Sequence, residues 1–192
     1  MDAPAYQPDD SQAIDRRTGC RRALVGLAVV GGAFALLAFF WSPRYPYGWS
    51  HCCSKNLFMA LHLYAESHGD RYPAGEACPE ASLSLLYREK LCDADLLRGK
   101  IVPLAEVEAV LARGDLLGPD TCGWHYVEGL TKRDDPRIAI IWDKFGLGHN
   151  GESLRSGDHW IMLLHGDEKL IPASEWEAFL AEQQGLIKAR VK

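Results

Sequence analysis

The run from Ala23 to Trp41 is apolar without interruption, and Pro43 and Pro46 close off any helix shortly after it ends. Roughly 20 such residues, rising about 1.5 Å each, reach across a hydrocarbon core about 30 Å thick. The sequence therefore predicts a transmembrane helix over 23–41. A buried core helix is the competing reading, but it needs apolar partners on every side, which a chain of 192 residues struggles to supply. Trp41, Tyr45, Tyr47 and Trp49 gather at the far end of the run, as side chains do at a membrane interface.

Arg16, Arg17, Arg21 and Arg22 precede the run, while only Arg44 and Lys55 lie near its exit. Lys and Arg near a span stay on the cytoplasmic side, so the N-terminus is expected in the cytoplasm and the chain from about Ser42 outside it. A cleaved signal peptide would need a shorter apolar region and a small-x-small site. The residues that follow are instead Trp41, Ser42, Pro43 and Arg44, so an uncleaved signal-anchor is expected. A net charge of -5 argues against a nucleic-acid surface.

The expected organisation is a cytoplasmic tail over 1–22, the span over 23–41, a proline-broken linker over 42–49, one domain over 50–185 and a short tail over 186–192. Cys53, Leu57, Ala60, Leu61 and Tyr64 recur at helical spacing, and Gly69 with Pro73 ends that helix. Short helices are expected over Glu80–Tyr87 and Leu104–Arg113. The pattern then changes to aromatic and β-branched runs at 124–128, 137–142, 160–164 and 169–171, separated by turn residues, as in an antiparallel sheet. Ser174 with Glu177 three residues on is a capping box for a last helix that ends before Gly185. The fold class expected is α+β.

Of the six cysteines, Cys20 falls on the cytoplasmic flank. Cys52, Cys53, Cys78, Cys92 and Cys122 fall in the part expected to meet an oxidising space, where one or two disulfides among them are expected. Neighbouring Cys52 and Cys53 are poorly placed to pair with each other, and spacing leaves the connectivity open. A zinc site from His51-Cys52-Cys53 and Cys122-Gly-Trp-His125 has suitable ligand types but no Cys-x-x-Cys pair. A cysteine nucleophile, Cys122 with His125 or Cys53 with His51, needs a lowered thiol pKa that nothing in the sequence supplies.

Two segments carry a family resemblance. Cys53-Ser-Lys-Asn-Leu-Phe-Met-Ala-Leu-His-Leu-Tyr-Ala-Glu-Ser-His-Gly-Asp-Arg-Tyr-Pro73 resembles the helix and His-Gly-x-x-Tyr-Pro turn of bacterial type II secretion pseudopilins and prepilin-like proteins. Ile141-Trp-Asp-Lys-Phe-Gly-Leu-Gly-His-Asn-Gly151 and Trp160-Ile-Met-Leu-Leu-His-Gly-Asp-Glu-Lys-Leu-Ile-Pro172 resemble that family's closing sheet. Together they cover about half of the outer domain. The resemblance implies an amphipathic helix packed on a small antiparallel sheet, a bacterial inner-membrane anchor and a periplasmic domain. The chain departs from it at the head. Gly19 is followed by Cys20-Arg21-Arg22 rather than Phe, and no glutamate opens the apolar run. Entry into a filament is therefore not expected.

No catalytic motif is found: there is no Gly-x-Ser-x-Gly elbow, His-Glu-x-x-His, phosphate loop or haem-attachment pair. His62 and His68, on or beside the amphipathic helix, read as partly exposed side chains. Asp143, His149, Asn150, Asp158 and Asp167 fall on expected loops at the sheet edges. Because major pseudopilins hold calcium with loop oxygens there, the resemblance implies Asp143, Asp167 and Asn150 as calcium ligands. The other reading of these loops is Asp and Asn side chains bonding their own backbone. The expected function is a non-enzymatic, structural or protein-interaction role at the cell envelope, with lipid contact through 23–41, protein partners and no cofactor. The alternative is a calcium-dependent or enzymatic domain using the Asp143, His149 and Asp167 loops.

Overall fold

The computed structural model describes residues 10–41, 54–99, 101–146, 154 and 157–190, in two compact units, Met1–Pro43 and Arg44–Lys192. The first unit is a single helix, α1, over Asp10–Trp41. Residues 25–40 are exposed all along it, Phe34 and Phe40 among the most open.

The expected transmembrane helix needs correction. No helix among the described residues is long and apolar enough to cross a membrane. The uncharged part of α1, 23–41, reaches about 28 Å at 1.5 Å per residue, at the lower limit for a hydrocarbon core of roughly 30 Å. Towards its N-terminus the same helix runs through Arg22, Arg21, Arg17, Arg16 and Asp15, so added length comes with charge.

The second unit is α+β, as expected. Four helices come first: α2 (Ser54–Ser67), α3 (Pro79–Arg88), α4 (Ala94–Leu97) and α5 (Leu104–Ala112). Strands β1 (Trp124–Tyr126), β2 (Ala139–Asp143), β3 (His159–Leu163) and β4 (Glu168–Ile171) follow. They form one antiparallel meander in chain order, in which Trp142 pairs with His125 and Ile161. A 3-10 turn at Ala173–Glu175 leads into α6 (Trp176–Arg190).

The period-3.6 pattern of α2 buries Leu57, Ala60, Leu61, Tyr64 and Ala65 on one face. That face lies on the sheet beside Ile141 and Met162, with Leu83, Leu86, Leu97 and Val107 of the other short helices completing the same core. Fully burying a leucine contributes roughly 1.5–3 kcal/mol, so Leu57 and Leu61 alone make α2 costly to lift. The opposite sheet face carries a smaller core, in which Phe179 of α6 packs on Ala139, Ile161 and Ile171. Helix α6 runs on through Gly185 to Arg190 rather than ending before it, because Leu186 and Ile187 find apolar partners in the larger core. Helix α4 was not expected. It is a single turn started by Asp93, whose Oδ1 accepts from Leu96 N at 3.0 Å.

The His-Gly-x-x-Tyr-Pro segment joins helix to sheet. Gly69 and Asp70 both take positive φ (65° each), and Asp70 N returns to Ala65 O at 2.9 Å to end the helix. The chain then pairs with the β1–β2 connection: Arg71 bridges Thr131, and Tyr72 N donates to Leu130 O at 3.0 Å. The buried Tyr126 hydroxyl donates to Pro73 O at 2.7 Å. At the other end of α2, the Ser54 hydroxyl and Lys55 (3.3 Å) both reach Glu168 at the start of β4.

Candidate functional site

The end of the sheet where β2 runs out carries a largely buried ion pair, Glu80 with Lys144, beside the buried Asp143. Cys122 and Gly123 lead into β1, and Lys144 follows β2, with Lys144 N donating to Gly123 O at 3.1 Å. This places the Lys144 side chain over the first turn of α3. Its ammonium pairs with Glu80 at 2.8 Å and donates to Pro119 O at 2.6 Å, with both side chains only about a tenth exposed (12% and 11%). Burial alone would raise the Glu80 carboxyl. The bonds from Lys144, from its own backbone and from the Cys78 thiol more than offset that, leaving it below its usual range.

Cys78 is the residue just before α3 and is half-buried, its Sγ 4.0 Å from Leu117 O. Cys122 is buried, with Sγ 3.4 Å from Leu97 O, and burial pushes its thiol up to about 12. Cys78 and Cys122 are free thiols, and Cys92 is half-buried near α4. Cys52 and Cys53 lie outside the described residues. The fold can bring these groups together because two glycines allow a close backbone approach: a Cβ on Gly123 would sit 2.2 Å from Arg98 O, and Gly99 (φ 63°) faces it.

The expected calcium ligands are not brought together. Asp143 is buried at the end of β2, and its Oδ1 accepts from Phe145 N at 2.7 Å, the side-chain-to-own-backbone bond of a polar turn. Asp167 lies in the β3–β4 turn at the opposite end of the strands, exposed and paired with His165 at 2.8 Å. The register puts about 10 Å of strand between them, whereas ligands of one calcium lie within about 2.6 Å of the ion. Asp158 accepts from Ala173 N at 3.0 Å, tying the start of β3 to the entry of α6. His149 and Asn150 lie outside the described residues. Among the described residues no group of three or more His, Cys, Asp or Glu is placed to hold a metal.

The remaining histidines are structural in position. His68 stacks on Tyr64 (centroids 3.8 Å apart) and pairs with Glu89 at 3.1 Å, while His62 lies beside Phe58 and Glu66. His125 packs on Trp142 at 5.4 Å, and His159 stacks on Trp176 at 3.9 Å. Burial holds both imidazoles below their usual pKa. His51 lies outside the described residues, so the structure does not place it with Cys53. His125 of the Cys122-Gly-Trp-His run points with Trp142 to the α6 side of the sheet. A groove of about 650 Å³ lies elsewhere, between Tyr87, Arg88, Leu91, Leu111 and Gly114. Arg88 already donates to Gly114 O there, at 3.0 Å.

Sequence reading drew attention to Asp143 within the Asp-Lys pattern but passed over its neighbour Lys144, the residue that enters the interior pair. Glu80 entered the sequence reading only as the first residue of a short helix, with no partner named. No family model, curated protein or solved structure matches the chain.

Proposed function

We propose that this is a non-enzymatic protein-interaction domain of the cell envelope, related in build to the pseudopilin-like proteins its helix and sheet motifs resemble. The observation that carries the reading is where the interior polar groups go. Glu80 and Lys144 clamp α3 to the end of β2, Tyr126 holds the Tyr-Pro turn, and Gln183 holds α6 to β2. Each joins one segment to another, so these interior polar groups are spent on holding the framework. A scaffold of this kind serves by presenting its surface. The exposed apolar residues of 25–40, Leu27, Phe34, Leu37 and Phe40 among them, support contact with lipid.

Cross-linking of the full chain in its native envelope tests this. A discrete adduct with a defined protein is expected, together with co-fractionation of the chain with lipid. A chain that stays monomeric, yields no adduct and does not associate with vesicles would overturn the reading.

A further inference from the structure

Among the described residues of the second unit, the exposed large apolar side chains include Met59 (57%), Leu63 (47%) and Tyr87 (37%). All three fall on one surface. The groove of about 650 Å³ beside Tyr87 and a second of about 400 Å³ beside Met59 and Leu63 share Leu91, Cys92 and Asp93 in their walls. Met59, Ala60 and Leu63 recur at helical spacing, so α2 carries an open apolar stripe beside the one that packs on the sheet.

The charges on this surface are sorted. Lys90 lines the first groove and Asp95 the second, with Asp93 in the wall they share. Asp95 is held by Arg98 at 2.6 Å, and Asp115, at the far side of the first groove, by Arg113 at 2.8 Å. Lys90 and Asp93 are exposed, and among the described residues neither has an ion-pair partner. Asp93 caps α4 through Oδ1, which leaves its charge unmatched. Lys90, just past α3, takes φ 61°, the left-handed region that glycine enters without strain. A lysine there sets a cation at the groove at a conformational cost.

We propose that a second copy of this chain covers the surface, across a two-fold axis passing near Leu91 and Cys92. In such an isologous contact every pairing occurs twice. Lys90 of each copy meets Asp93 of the other, and Met59 and Leu63 of each copy enter the groove beside Tyr87 of the other. The surface complements itself, its apolar stripe having a groove to enter and its unmatched cation an unmatched acid. This contact goes beyond the envelope role proposed above and does not depend on an envelope partner.

Sedimentation equilibrium of the full chain in a non-ionic detergent tests it, and a reversible monomer–dimer equilibrium is expected. Lys90→Glu and Asp93→Lys each set like charges opposite one another twice, and each should weaken the dimer by about tenfold or more. An equimolar mixture of the two variants should restore it, because both contacts of the mixed dimer then pair opposite charges. Leu63→Ser should weaken the dimer without changing its response to salt. Asp93→Lys also removes the α4 cap, so Asp93→Asn, which keeps a capping side chain, is the check on folding. It should weaken the dimer and add little to the effect of Lys90→Met, since both act on one contact. A parent chain monomeric at about 0.1 mM, a dimer unmoved by either charge variant, or a mixture no tighter than its components would overturn the proposal. Association through α1 alone would give the second of these results, and none of them bears on an adduct in the envelope.

Discussion

Replacing Lys144 with Met removes the ammonium and keeps most of the stem volume. The Glu80 carboxylate would then lie buried without its charged partner, and Pro119 O would lose its donor. Breaking one side of a buried pair costs about 3–5 kcal/mol. The low end, about 3 kcal/mol, applies here because each side chain keeps about a tenth of its exposure. For a domain of about 150 residues that corresponds to a melting point lower by roughly 6–12 °C. Urea unfolding followed by tryptophan fluorescence at pH 7 measures it, and the double change Glu80→Leu with Lys144→Met completes the cycle. Removing both charges together should cost clearly less than the two single changes added. The pH dependence gives a second check. Because the folded carboxyl titrates below its usual 4.5, its stabilisation is fully present above that value and disappears as pH falls through the lower, folded value. Lys144→Met should flatten that acid limb. A single variant within about 0.5 kcal/mol of the parent, or a strictly additive cycle, would refute the reasoning.

Gly123→Ala should be among the most damaging single-methyl changes, costing roughly 3 kcal/mol or more, since its Cβ would meet backbone at 2.2 Å; soluble yield and melting point report it. Gln183→Ala should cost about 1–3 kcal/mol, because the Ala139 N–H it accepts from at 2.8 Å is buried, and hydrogen exchange at Ala139 should rise with it. His159, held below 6.5 by burial, contributes stability that is full above 6.5 and is lost as pH falls through that value towards the folded one. His159→Phe should remove that part of the pH dependence of Trp176 fluorescence.

Much of the second unit was legible from local pattern. The helical spacing of Leu57, Leu61 and Tyr64 and the aromatic runs around Trp124, Trp142 and Trp160 are short-range signals, and they locate α2 and the strands to within a few residues. Single-turn α4 has no period to read, and α6 continues past Gly185 for a tertiary reason, the burial of Leu186 and Ile187. The candidate site was hidden for the same reason. Glu80 and Lys144 meet only once the meander has folded back over α3, and Asp143 and Asp167, similar on paper, end at opposite ends of the strands. The apolar run 23–41 was plain in composition, but composition does not say how much of a helix is both apolar and long enough to span. No helix among the described residues meets both conditions.

The most direct test of the central claim is in situ cross-linking of the full chain, with the adducts resolved by mass. The account predicts one discrete adduct with an envelope protein that persists when the Lys144→Met variant still folds. A catalytic turnover assigned to the purified chain, with no adduct in the envelope, would contradict it.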